Sequence, residues 1–155
     1  MSETAPIIRA AAPADLPAIR AIVEAAYSPY IERLGTKPGP MLDDYAAQIA
    51  AGRVHCLCDD AGVAGFVVLV ADEARFLLDN VALADRARGR GYGRLLMAFA
   101  EDAARQAGYP AITLYTHEKM HENRALYARL GYRETGLIAE KGFARVYMEK
   151  SLYPA

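Results

Sequence analysis

The chain has 155 residues, 54% apolar and 24% charged, with a formal net charge of −1. That length suits a single domain, residues 1–155, able to bury a core without staples, and the composition excludes a disordered chain. The near-neutral charge excludes a global basic field for nucleic acid, and no apolar run is long enough to span a membrane.

The opening MSETAPIIRAAAP lacks the basic stretch and apolar block of a secretory signal, so a cytoplasmic location is expected. PIIRAA, near residues 6–11, reads as a first strand. Asp15 is expected to cap the helix LPAIRAIVEAAY, whose Leu16, Ile19, Ile22, Val23 and Ala26 share one face. Residues 28–40, with three prolines and two glycines, predict a loop or broken turn. MLDDYAAQIAAG resumes helical character up to Gly52.

VHCLCD and VAGFVVLVA form a hairpin across Asp59-Asp60-Ala61-Gly62, its second strand apolar enough for the core. Cys56 and Cys58 lie two apart on that strand, side by side and badly placed to bridge, which predicts free thiols in a reducing compartment. RFLLDNVAL, residues 75–83, is a further strand. After the loop RARGRGYG, Leu95, Leu96, Phe99, Ala100 and Ala103 recur at helical spacing until Gly108. AITLYT is a strand, Glu122 to Leu130 a short helix closed by Gly131, and YRETGLIAE with the run from Phe143 to Met148 a final antiparallel pair. The alternation predicts an α+β layered domain.

One segment carries a chemical signal. Between the strand ending NVAL and the following helix stand Gly89, Gly91 and Gly93, with Arg86, Arg88, Arg90 and Arg94 against a single Asp85. Glycines allow close backbone approach and positive φ. The helix start adds free N–H groups and the positive end of the dipole. The segment therefore reads as a phosphate or pyrophosphate site. It is not G-x-G-x-x-G, because Arg94 stands three after Gly91, and it lacks the G-K-[ST] ending of a triphosphate loop.

The run Arg88-Gly89-Arg90-Gly91-Tyr92-Gly93, followed by Leu95 and Leu96, matches R-x-x-G-x-G, and here the chain resembles the GNAT superfamily of N-acetyltransferases. A second landmark agrees: in LYARLGYRE, Tyr127, Gly131 and Tyr132 match Y-x-x-x-G-[FY]. The resemblance covers roughly residues 6 to 150 in element order. It implies the acyl-CoA N-acyltransferase fold, a mixed, mostly antiparallel sheet of six to seven strands flanked by about four helices. It also implies acetyl-CoA as cosubstrate, no metal, and an amine acceptor. A homodimer is compatible with it, and neither nucleic acid nor membrane is an expected partner. One departure stands out: many members carry asparagine seven residues before the tyrosine, where this chain has Met120, while Asn123 lies four before it.

Carried over by position, the resemblance assigns Arg88, Gly89, Arg90, Gly91, Tyr92, Gly93 and Arg94 to the pyrophosphate. Backbone groups of Val81 and Leu83 go to the pantetheine arm, and Asn123 and Tyr127 also go to the cofactor. The Val81 N–H would face the thioester oxygen as charge develops there, a contribution on the order of 3 kcal/mol. Tyr127 would donate a proton to the departing thiolate, and its other reading is an aromatic anchor. Asp79 shares a strand face with Val81 and Leu83, which makes it a candidate base and acceptor contact, or else a partner of nearby backbone. Ordered water is the alternative route for the amine's proton.

For the acceptor, Tyr27, Tyr30 and Tyr45 with Glu32, Asp43 and Asp44 can seat a cationic amine, or form a packed loop with solvated acids. His117 and Glu118 either line that side or lie on a surface loop, and His121 reads as a solvated helix start. Two other functions are compatible with these residues. A CoA-binding sensor would keep the fold without the activity, and a nucleic-acid module would use the arginine cluster with steep salt dependence.

Overall fold

The computed structural model describes residues 5–153. Seven strands follow the order β1-β2-β3-β4-β5-β7-β6. They are β1 (Ile7–Ala10), β2 (Val54–Asp59), β3 (Gly62–Ala71), β4 (Phe76–Leu83), β5 (Ala111–His117), β6 (Arg133–Glu140) and β7 (Phe143–Ser151). The helices are α1 (Leu16–Tyr27), the single turn α2 (Ile31–Leu34), α3 (Tyr45–Ala50), α4 (Tyr92–Gln106) and α5 (His121–Arg129). The chain divides into two compact units, one of residues 5–69 and 80–100, the other of 70–79 and 101–153.

In the first unit β1, β2 and β3 are antiparallel neighbours, with a register shift between Leu57 and Cys58. β3 is buried continuously from Ala64 to Leu69, as its unbroken apolar run predicts. Ile19, Ile22 and Val23 of α1 are buried on the expected face. Cys56 is buried and Cys58 half-buried, and both are free thiols. In the second unit β4 runs parallel to β5 through Leu77–Thr113 and Leu78–Leu114. β5 and β7 pair antiparallel from Ala111–Ser151 to His117–Arg145, and β7 pairs antiparallel with β6. The mixed, mostly antiparallel sheet matches the expected fold class.

Three local expectations are corrected. Asp15 does not cap α1: its carboxylate turns back to accept the Ala12 N–H at 2.7 Å and pairs with Arg9, closing a 3-10 turn at Pro13–Asp15. The stretch 28–40 is not only loop, because 3-10 turns at Ser28–Tyr30 and Gly39–Leu42 flank α2. Prolines at the starts of such turns fit their fixed φ, and Asp44 caps α3 by accepting the Ala47 N–H at 3.1 Å. On α4 the buried stripe is Leu96, Met97, Ala100 and Ala104, which leaves Leu95 45% exposed. Positions 96, 100 and 104 repeat every fourth residue, so their neighbour at 95 falls on the flank.

Gly65 has no room for a side chain. A Cβ there would sit 2.7 Å from Leu83 Cδ2 and 2.9 Å from the Ala82 carbonyl oxygen. Gly65→Ala is expected to cost about 1–3 kcal/mol, read as a lower urea midpoint at unchanged slope. Arg9 holds the Asp15 carboxyl at about 2, below its ordinary 3.8, against the opposing effect of burial. A depressed folded value stabilises above pH 3.8 and is lost as pH falls toward 2. Arg9 is partly exposed, so Arg9→Met is expected to cost about 1 kcal/mol at pH 7. Urea titrations should show the gap to wild type narrowing below about pH 4; a constant gap would refute this ion pair's contribution.

Candidate functional site

The glycine-arginine segment belongs to the first unit. β4 ends with Val81 and Leu83 half-buried and Ala82 buried between them. The Ala84 N–H then bonds the Ala64 carbonyl at 2.8 Å, and Asp85–Ala87 forms a 3-10 turn. Arg86 donates to Asp59 Oδ2 at 2.9 Å and to the carbonyls of Val63 and Gly62 at 3.2 and 3.4 Å. The buried Tyr92 donates its hydroxyl to the same Asp59 oxygen at 3.2 Å. Asp59 thus holds both the turn and the first residue of α4, and Arg86 keeps its carboxyl well below the ordinary range.

This corrects the count of cations around the loop. Arg86 is committed to the hairpin turn, which leaves Arg88, Arg90 and Arg94 exposed. Arg88 lies 3.4 Å from Asp85, a solvated pair. Gly89 and Gly91 have φ of +79° and +80°, which an L side chain rarely adopts, and nothing within 4 Å faces the added Cβ of either. The Leu95 N–H bonds the Gly91 carbonyl at 3.2 Å. The N–H groups of Tyr92, Gly93 and Arg94 precede that first helical bond, at the positive end of a 15-residue helix. An open glycine cradle, a helix start and three exposed arginines fit a pyrophosphate.

Also in the first unit, Tyr27 donates its hydroxyl to Asn80 Oδ1 at 2.5 Å. The Asn80 amide donates to the Tyr45 hydroxyl at 2.9 Å, which donates to the Pro40 carbonyl at 2.6 Å. Asn80 and Tyr45 are buried, so these tyrosines tie the 28–44 connector to β4. The half-buried Tyr30 has the Arg33 guanidinium 5.1 Å from its ring centroid, so a cation already occupies that face.

The second unit holds the proton-handling candidates. Asp79 is half-buried and accepts the Tyr115 hydroxyl at 2.8 Å. The Arg145 guanidinium lies 4.3 Å over the Tyr115 ring and donates to Glu140 at 3.2 Å. Glu140 also accepts the Tyr147 hydroxyl. His117 Nδ1 accepts the Lys119 N–H at 3.1 Å, and burial lowers its proton affinity. A neutral ring with its proton on Nε2 follows.

Tyr127 is half-buried, edge-on to Tyr132 at 6.1 Å, and its carbonyl accepts the Leu130 and Tyr132 N–H groups at 3.0 Å each. Tyr132 is buried and donates to Glu101 at 3.1 Å, while Lys150 donates to the other Glu101 oxygen at 3.0 Å. Burial first, then the Glu101 charge, pushes the Tyr132 phenol far up, so it stays a donor. Asn123 donates to Met120 sulfur at 3.6 Å, and Thr116 does so at 3.7 Å. The residue in the usual asparagine position is therefore a buried thioether that two polar side chains address.

The first unit contains Val81, Leu83, residues 88–94, Tyr27 and Tyr30, and the second contains Asp79, His117, Asn123 and Tyr127. Sequence reasoning missed Asn80, Tyr115, Glu101 and the anchoring role of Asp59. Asn80 was findable as an amide at a buried position of an alternating strand. The Asp59–Arg86 contact spans 27 residues and leaves no local pattern. Among the described residues, no group of three or more His, Cys, Asp or Glu is placed to hold a metal ion. Among these residues no helix is long and apolar enough to cross a membrane.

Comparison with known proteins places this geometry. A model of the Acetyltransferase (GNAT) family matches residues 18–132. N-alpha-acetyltransferase 80 of Mus musculus is 40% identical over 57 residues, 37% of this chain and only 17% of that protein. The PaiA N-acetyltransferase of Thermoplasma acidophilum, solved with coenzyme A, superposes with a TM-score of 0.74 at 16% identity, covering 96% of this chain and 99% of that one. The ribosomal-protein-S18-alanine N-acetyltransferase of Escherichia coli gives 0.75 at 19% identity, covering 97% and 96%. These two likenesses concern the fold. With the family matched over most of its length and the loop built as described, this chain belongs to the GNAT acetyltransferase family.

Proposed function

We propose that the chain is an acetyl-CoA-dependent N-acetyltransferase. It moves an acetyl group to a primary amine of a small molecule or short peptide by direct attack in a ternary complex, as one domain in the cytoplasm. The observation that carries this reading is the Arg88–Arg94 loop, with two glycines at positive φ leading into the start of α4. Arg88, Arg90 and Arg94 and the backbone of Gly89, Gly91, Tyr92 and Gly93 take the pyrophosphate of the cosubstrate. Tyr92 contributes its N–H, since its hydroxyl serves Asp59. Val81 and Leu83 offer backbone groups to the pantetheine arm, and Asn123 adds a polar contact.

In this reading the Val81 N–H stabilises charge on the thioester oxygen. Asp79, oriented by Tyr115, takes a proton from the acceptor ammonium, directly or through water. The amine nitrogen then bonds the acetyl carbon, the carbon–sulfur bond breaks, and Tyr127 gives its proton to the thiolate. The nitrogen, positively charged once the new bond forms, gives its second proton to water, the phenol regains one from solvent, and Asp79 releases the first to solvent. Holding both reactants together removes much of the entropic barrier. Tyr27 and Tyr30 frame the acceptor, Tyr27 through the connector that it and Tyr45 anchor, and His117 adds a neutral polar group.

Calorimetric titration with acetyl-CoA tests the loop. Gly91→Asp puts a side chain at φ +80° and a negative charge beside the phosphates. Its affinity for acetyl-CoA should fall at least about tenfold, and an unchanged affinity would remove the loop from the site. For Tyr127→Phe, turnover should fall roughly 100-fold with cofactor affinity preserved. Wild-type turnover across the pH range, with chemistry rate-limiting, would strip Tyr127 of the acid role.

A further inference from the structure

The second unit carries a charged side chain that the proposed chemistry does not use. In the β5–β7 ladder Tyr115 stands opposite Tyr147 and His117 opposite Arg145. The two tyrosine rings lie 5.4 Å apart. Tyr115 reaches Asp79 with its hydroxyl, while the Arg75 guanidinium rests 5.1 Å over the Tyr147 ring. Arg75 directly precedes β4 and Asp79 lies within it, and because they meet the cross-strand pair Tyr147 and Tyr115 they lie on the same side. Helix contacts of this unit run to the opposite parity: Lys150 meets Glu101 of α4, and Thr116 meets Met120 at the start of α5.

The charges on this face share neighbours. Arg145 pairs with Glu140. Arg75 is exposed and makes no ion pair among the described residues, while its charge acts on Glu140 and Asp72 and its guanidinium addresses the Tyr147 hydroxyl. Its backbone is nonetheless held. Asp72 Oδ1 accepts the N–H groups of Ala74 and Arg75 at 2.8 and 2.9 Å, and the Arg75 carbonyl accepts the Asp72 N–H at 3.1 Å. Arg75 is therefore a cation backed by a buried aromatic ring and fixed at its root. Its planar fork suits a carboxylate. Asp79, at the other end of the tyrosine pair, suits an ammonium.

Four strand positions separate the two Cα atoms by about 13 Å. The guanidinium of Arg75 and the carboxylate of Asp79 each meet one of two tyrosine rings that lie 5.4 Å apart, so the ligand that joins them is shorter. A di- or tripeptide spans about 7–10 Å. Resting on the acetyltransferase reading above, we propose that Arg75 is a specificity residue. The acceptor is then a primary amine with a carboxylate at its far end, a short peptide or ω-amino acid, held with its ammonium at Asp79 and its carboxylate on Arg75. A diamine of the same length would meet repulsion at Arg75.

Thiol release with matched acceptors tests this: glycylglycine against glycylglycinamide, with putrescine as the diamine. The acid is expected to exceed its amide in kcat/KM by at least about tenfold. Arg75→Met should bring that ratio close to one, and Arg75→Lys should retain part of it. Acetyl-CoA affinity and the urea midpoint should stay at wild-type values in both variants. Equal use of acid and amide, preference for putrescine, or an undiminished ratio in Arg75→Met would overturn the proposal. If no acceptor in the panel turns over, ligand-observed NMR of the same pair on the CoA-saturated protein decides, and equal or absent binding overturns it. Wild-type protein that fails to bind acetyl-CoA would instead bring down the acetyltransferase reading, and the Arg75 assignment with it.

Discussion

The two-residue period of β4 governs what each of its side chains can do. Leu78, Asn80 and Ala82 are buried, while Asp79, Val81 and Leu83 stay half-exposed. Asn80 is consequently the polar residue that must be satisfied inside, and Tyr27 and Tyr45 satisfy it. Asp79 faces the other way and takes the Tyr115 hydroxyl. A shift of one residue would exchange these roles and expose the apolar set. The tight fit of Gly65 against Leu83 and the Ala82 carbonyl opposes such a shift, because only a residue without a Cβ lets the chains approach so closely.

A second pattern recurs in both units. Three carboxylates each join one cation to one tyrosine hydroxyl: Asp59 with Arg86 and Tyr92, Glu101 with Lys150 and Tyr132, Glu140 with Arg145 and Tyr147. A desolvated carboxylate needs both charge and hydrogen bonds to remain ionised. The chain has ten tyrosines and no tryptophan. Tyrosine supplies an apolar ring to pack and a hydroxyl to close the polar group left beneath it. Through Glu101 and Tyr132 this arrangement reaches the neighbourhood of Tyr127, and through Asp59 it reaches the start of α4. The candidate chemistry is therefore held by networks rather than by isolated contacts.

Much of the fold was legible because hydrophobic period is a local signal. Every strand emerged near its observed bounds, and so did α1 and α5. What failed was also local in origin. Asp15 is a residue type that caps helices, yet Arg9 competes for its carboxylate and wins, because two bonds from one guanidinium to both oxygens exceed a single cap bond. The proline-rich connector reads as loop since proline breaks long helices, although single 3-10 turns tolerate it. Leu95 lies within one position of the buried stripe, beyond the resolution of a 3.6-residue period.

The candidate site divides along the same line. The sequence alone determined the glycine and arginine spacing of residues 88–94, on which the anion-site reading rests, and the family resemblance. Both are written in consecutive residues, where glycine and arginine spacing maps directly onto backbone N–H groups and charge. Tertiary structure alone decided which of those arginines are available, that Tyr27 and Tyr45 both meet Asn80, and that Asp79 accepts the Tyr115 hydroxyl. It also decided that Arg75 rests on Tyr147. Each of these is a contact between residues far apart in the chain. Such partners are selected by the geometry of the folded sheet, and no local pattern of residue types encodes them.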